Sequence, residues 1–174
     1  MCRLYSLGSK GYTVKPRRSV MSDSDEFLKS LVASIGCIEC SDFFSTHLGK
    51  SQPHQKLLVA RFQSLVASTL KNSIQHVEWS TEYRPSAKNR DSIDIFGRGA
   101  GFVVVMELDK SRADQVAKKF VSRIALFPLT KVYFVSLCYP GTERMNLSEC
   151  EKYFGYCSML ALRTGNHYAG FIVD

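Results

Sequence analysis

Three acids in the stretch "DSIDIFGRGAGFVVVMELDKSRADQVAKK", residues 91 to 119, stand where apolar side chains are expected. Asp94 lies between Ile93 and Ile95, and Glu107 and Asp109 end the apolar run that begins at Phe102. Side chains alternate along a strand, so Val103, Val105, Glu107 and Asp109 share one side while Phe102, Val104, Met106, Leu108 and Lys110 share the other. Neighbouring carboxylates repel, and desolvating either is costly, so the pair needs solvent, a proton or a cation. The turn "GRGAG" folds "SIDIF" back as a hairpin, which brings Asp94 beside Glu107 and sends its isoleucine neighbours to the opposite face. Hard oxygen donors of this kind suit Mg²⁺ or Mn²⁺, which makes Asp94, Glu107 and Asp109 candidate metal ligands. The competing reading has each acid marking a strand end as the chain leaves the core, with Asp109 helping to cap the next helix.

The elements that must position these residues follow from periodicity. Phe27, Leu28, Leu31, Val32 and Ile35 predict a helix over 24–35. Leu57, Leu58, Phe62, Leu65, Val66, Leu70 and Ile74 predict a longer one opening at Pro53. "VEWSTEYR", "SIDIF" and "FVVVMELD" read as a three-strand meander, on whose first strand Glu78, Glu82 and Arg84 alternate; these three have the reach to enter the cleft, but a solvated border is the preferred reading. A helix from about Arg112 comes next, then the strand "KVYFVSLCYP", a helix carrying Leu147 to Leu160 and stopped by Gly165, and a last strand "YAGFIVD" at the sheet margin. At about 100° per residue, Ala113, Val116, Ala117, Phe120, Val121 and Ile124 form the apolar arc of the helix after the meander, and Arg112, Gln115, Lys119 and Arg123 a polar stripe along its border.

This succession, with an acid on the second strand and another closing the third, resembles the PD-(D/E)xK nuclease superfamily over about residues 53 to 139. The motif is Asp94 with Glu107-Leu108-Asp109. The resemblance implies an α/β domain with a restriction-endonuclease-like core, a central mixed sheet and three-strand meander flanked by helices. It also implies that Asp94 and Glu107 hold a metal ion that activates water for attack on a phosphodiester. The family's lysine stands two residues after the strand acid, where this chain has Asp109; Lys110 follows, on the other face unless a bulge rotates it back. Lys119 is the candidate for a displaced catalytic lysine and Gln115 for the helix glutamine that some members carry. Arg112, Lys119 and Arg123 are candidate nucleic-acid contacts. A solvated helix border explains each of these stripe residues equally well.

At 174 residues and 45% apolar, the chain suits one domain with one core. No apolar run approaches the ~20 residues of a membrane span, and "MCRLYSLGSKGY" lacks the core of a secretion signal, so a cytoplasmic location is expected. Five of the seven net positive charges fall in residues 1–20, leaving +2 for the remainder. Residues 1–20 read as a basic disordered tail or start-site extension before Met21, and residues 21–174 as the single domain. Net charge therefore does not by itself argue for nucleic-acid binding. "CIEC" has zinc-compatible spacing but no second such pair, so the six cysteines read as reduced thiols. The expected function is a metal-dependent nuclease acting on nucleic acid, DNA ahead of RNA, with specificity from loops, a homodimer partner or a companion subunit. The alternative is a catalytically silent nuclease-like module that binds nucleic acid or a protein, because Asp109 adds negative charge where phosphate would approach.

Overall fold

Two strands, β3 (Phe102–Lys110) and β4 (Lys131–Tyr139), are buried on both faces along nearly their whole length. They pair in parallel, from Phe102 opposite Lys131 to Lys110 opposite Tyr139. A parallel pair between two helical layers needs near-continuous apolar runs, which is why "FVVVM" and "VYFV" scarcely alternate in polarity. In this computed structural model, residues 23–39, 41–44, 47–85, 92–110, 113–139 and 147–173 are described. The basic segment 1–20, Cys40 and Arg112 lie outside them.

Ahead of the sheet come α1 (Asp23–Gly36), α2 (Ser41–Phe44), a 3₁₀ turn at His47–Gly49 and α3 (Gln52–Ser73). The sheet opens with β1 (Glu78–Tyr83) and β2 (Ile93–Gly99); after β3 and β4, separated by α4 (Ala113–Ile124), come α5 (Leu147–Arg163) and β5 (His167–Ile172). Spatial order follows chain order, β1-β2-β3-β4-β5. The first three strands are antiparallel, and β4 and β5 continue in parallel through the α4 and α5 crossovers. The result is an α/β fold with an open, mixed five-stranded sheet. The meander closes at Gly101, whose φ of 81° is open to glycine and strained for other residues.

Each face of the sheet carries its own core. On one, Leu31 and Ile35 of α1 and Phe62, Val66 and Leu70 of α3 meet Val104, Met106 and Leu108. On the other, Val116 and Phe120 of α4 and Phe154 and Cys157 of α5 meet Val103, Val105 and Phe134. The expected faces need two amendments. Leu57 is 54% exposed, because it lies about 180° around α3 from Val66, and Leu65 is also exposed. Val121, at the margin of the α4 arc, is exposed as well. Of the cysteines, Cys37 is an exposed free thiol, whereas Cys138, Cys150 and Cys157 are free and buried. Among the described residues no helix is long and apolar enough to cross a membrane.

Candidate functional site: a carboxylate cluster closed by a lysine

Alternation along β3 turns Glu107 and Asp109 toward α4, and both are buried. Their role depends on what α4 brings against them. Lys119 and Arg123 are four residues apart, hence on one helix face, and both reach the strand. Lys119 Nζ stands 3.0 Å from Glu107 Oε2, 3.0 Å from Asp109 Oδ1 and 3.8 Å from Asp94 Oδ2. It also donates to the carbonyl of Leu108 at 3.2 Å. Arg123 Nε donates to Glu107 Oε1 at 2.6 Å, and a terminal nitrogen of the same guanidinium donates to the Ser92 carbonyl at 3.0 Å. The three acids on the hairpin thus converge on one positive charge, and that charge is the Lys119 ammonium.

The meander is distorted where Asp94 enters. The β1/β2 ladder pairs Thr81 with Ile95 and Tyr83 with Ile93 but skips Glu82 and Asp94. Glu82 has a φ of 51°, a left-handed backbone that costs a non-glycine residue roughly 1–2 kcal/mol. The Gln63 amide of α3 fills the break, donating to Glu82 Oε1 at 2.9 Å and to the Asp94 carbonyl. Ser92 Oγ donates to Glu82 Oε2 at 2.6 Å. These two bonds, Ser92 first, hold the Glu82 pKa below its ordinary value. Asp94 Oδ2 accepts the Leu108 N–H at 2.7 Å, a ladder-like bond made by a side chain. Alternation slips here: Ile95 joins the α3 core and Ile93 the α4 core, instead of both turning to one face.

Electrostatics follow from the crowding. Burial, then the Glu107 charge, lifts the Asp94 pKa to about 7. Burial likewise raises Asp109. For Lys119, burial alone would favour the neutral amine, but Glu107, Asp109 and Asp94 outweigh it and hold the ammonium above its usual range. Asp109 Oδ2 is buried and lacks a hydrogen-bond partner, a deficit that costs about 1–3 kcal/mol.

The donor set is chemically suited to a hard divalent ion: three carboxylates and one unpartnered oxygen. Its present spacing is that of an ammonium cage. Mg²⁺ takes oxygens at about 2.0–2.1 Å, so a bound ion would draw the acids inward and displace Nζ. Among the described residues no group of three or more His, Cys, Asp or Glu side chains is drawn together to hold a metal as it stands.

Other expected site residues fall elsewhere. Lys110 stays on the α3 side, because β3 runs to its end without a bulge, and its Nζ donates to Gln55 Oε1 at 2.9 Å. Gln115 donates to Asp114 Oδ2 at 3.1 Å on the surface of α4 and does not enter the cluster. Arg123 is 8% exposed and engaged with Glu107, so it is a buried counter-charge rather than a surface contact for nucleic acid. Arg112 lies outside the described residues. Beside the cluster a pocket of about 350 Å³ opens between α3 and the meander, with Gln63, Glu82, Asp94, Lys110 and Tyr139 in its lining. Glu82 enters the pocket, the less favoured of the two sequence readings, and Gln63 is the member that sequence periodicity misses; its only hint is a polar side chain beside Phe62 on the buried side of α3. No family model matches the chain, nor does any curated protein or solved structure.

Proposed function

We propose that the protein is a divalent-metal-dependent nuclease of the PD-(D/E)xK kind, hydrolysing phosphodiester bonds with DNA as the first substrate to test. The observation that carries this reading is the convergence of Asp94, Glu107 and Asp109 on a single positive charge beside an open pocket. Asp94 and Glu107 would hold the ion, with Asp109 contributing its unpartnered Oδ2. When bound, the ion supplies a Lewis acid and a water of lowered pKa. Lys119 neutralises the acids in its absence and is the chain's own cation for the charge that develops on the phosphate oxygens. It takes the part of the lysine missing at position 109, from the helix rather than from the strand. Arg123 fixes Glu107 from behind.

The direct test is cleavage of single-stranded and duplex DNA and RNA with Mg²⁺ or Mn²⁺, comparing wild type with Glu107→Gln. Loss of at least about a hundredfold in rate is expected, as for removal of a group that stabilises a metal-bound transition state. Equal cleavage by the variant removes the assignment.

One observation favours a second reading, a catalytically silent module that binds nucleic acid or a protein. Both Glu107 oxygens already have cationic partners, Lys119 and Arg123, so the cluster is largely neutralised by the chain itself. Calorimetry with Mn²⁺ separates the two: absence of metal binding by the folded protein selects the silent module.

A further inference from the structure

The pocket has a polarity along its length. Gln63, at one end, contacts Glu82 and the Asp94 main chain, whereas Gln55, eight residues earlier on α3, accepts from Lys110. At 1.5 Å per residue the two ends are about 12 Å apart. Acids therefore mark one end and lysines the other, with Lys56 joining Lys110 in the lining. Val59 lies between Gln55 and Gln63 on α3 as an apolar wall, and Tyr139, opposite Lys110 on β4 and backed by Phe44, is the aromatic wall of the lysine end. A volume of about 350 Å³ is at the small end for ligand pockets, enough for one nucleoside and too small for a base pair. Strand alternation, which keeps Lys110 out of the acid cluster, is what delivers it here.

We propose that this pocket seats one unstacked nucleotide of a single strand, its phosphate against Lys110 and Lys56 and its base against the Tyr139 and Val59 wall. The proposal deepens the nuclease reading and takes from it the direction of the strand, toward the acids. Aromatic and aliphatic walls accept any base face, and lysines track the backbone without reading sequence. The substrate class is thus a strand with an accessible unpaired nucleotide rather than an uninterrupted duplex, and Lys110 becomes a binding residue for the flanking phosphate.

Fluorescence anisotropy of the full chain in EDTA tests this with a labelled thymidine oligomer, a uridine oligomer of equal length and a hairpin duplex. Either oligomer should bind at least about fivefold more tightly than the duplex. Lys110→Gln should weaken oligomer binding at least about fivefold and reduce the slope of log K against log salt by about 0.7, the share of one phosphate contact on a single strand. Lys56→Gln should act in the same direction. Duplex binding as tight as the oligomers, or wild-type affinity in both lysine variants, overturns the proposal. Comparing the oligomers assigns the strand to DNA, RNA or both, each of which the pocket accommodates. Cleavage with Mg²⁺ that depends on Glu107 but occurs without pocket binding sinks the pocket alone; intact oligomer binding without such cleavage sinks the nuclease reading alone.

Discussion

Burial places the proton equilibrium of Asp94 near neutrality, with a folded-state pKa of about 7 against an ordinary value near 4. Between those limits the folded chain holds a proton that the unfolded chain has released, so stability falls as pH rises from about 4 to about 7. Asp109 acts in the same direction. Glu82, lowered by Ser92 and Gln63, has the opposite sign: its contribution is lost as pH falls from about 4.5 toward its lowered folded value, so it touches only the acid edge of this window. Thermal melts of metal-free protein should show Tm declining across the window, with a shallower decline in Asp94→Asn; a flat wild-type profile would contradict the assigned burial. Lys119→Met should destabilise by on the order of 3 kcal/mol, since Glu107 and Asp109 stay buried without their shared counter-charge. Mn²⁺ should then raise Tm more in that variant than in wild type. Equal or absent rescue would mean that these carboxylates do not take a hard cation. The acids and Lys119 were legible in the sequence because strand and helix periods fix which way they point. Arg123 was legible as a stripe residue but not as a buried one, since its desolvation depends on Glu107 and Ser92 arriving from two other strand ends.

Among the elements, long ones with a steady period were readable and short ones were not. β3 declared itself through five consecutive apolar residues and α3 through its recurring Phe62, Val66 and Leu70, whereas α2 and the 3₁₀ turn are too short to display a period. Period alone also overstates a helix face. Phe62 and Leu57 both looked like core positions, yet Phe62 is 1% exposed and Leu57 points to solvent. Denaturant unfolding should show Phe62→Ala costing about 3–5 kcal/mol and Leu57→Ala within about 0.5 kcal/mol of wild type. Similar losses at both positions would mean that α3 packs by a different face. The break at Glu82 and Asp94 was invisible beforehand, because a left-handed glutamate leaves no mark in composition; it takes the Gln63 amide from α3 to compensate the lost ladder pair.

Across the whole molecule, charge is uneven: residues 1–20 carry +5 and all the others together +2. Deleting residues 1–20 should flatten the salt dependence of binding to an unstructured polyanion such as heparin, while the Lys110 contribution to oligonucleotide binding persists. If the deletion abolishes both, binding belongs to the tail and not to the pocket. Among the described residues, strand order equal to chain order leaves β1 paired with β2 alone, and its residues Glu78, Ser80, Thr81 and Glu82 exposed. An unpaired outer strand is a template on which another chain can lay down a matching strand, and long flat ones invite runaway association. The left-handed backbone at Glu82 breaks the regular run of the strand, where the ladder also skips a pair, and the exposed Glu78 adds charge to the border. The same kink that sets an acid into the pocket therefore also interrupts the sheet's border as a template for a further strand.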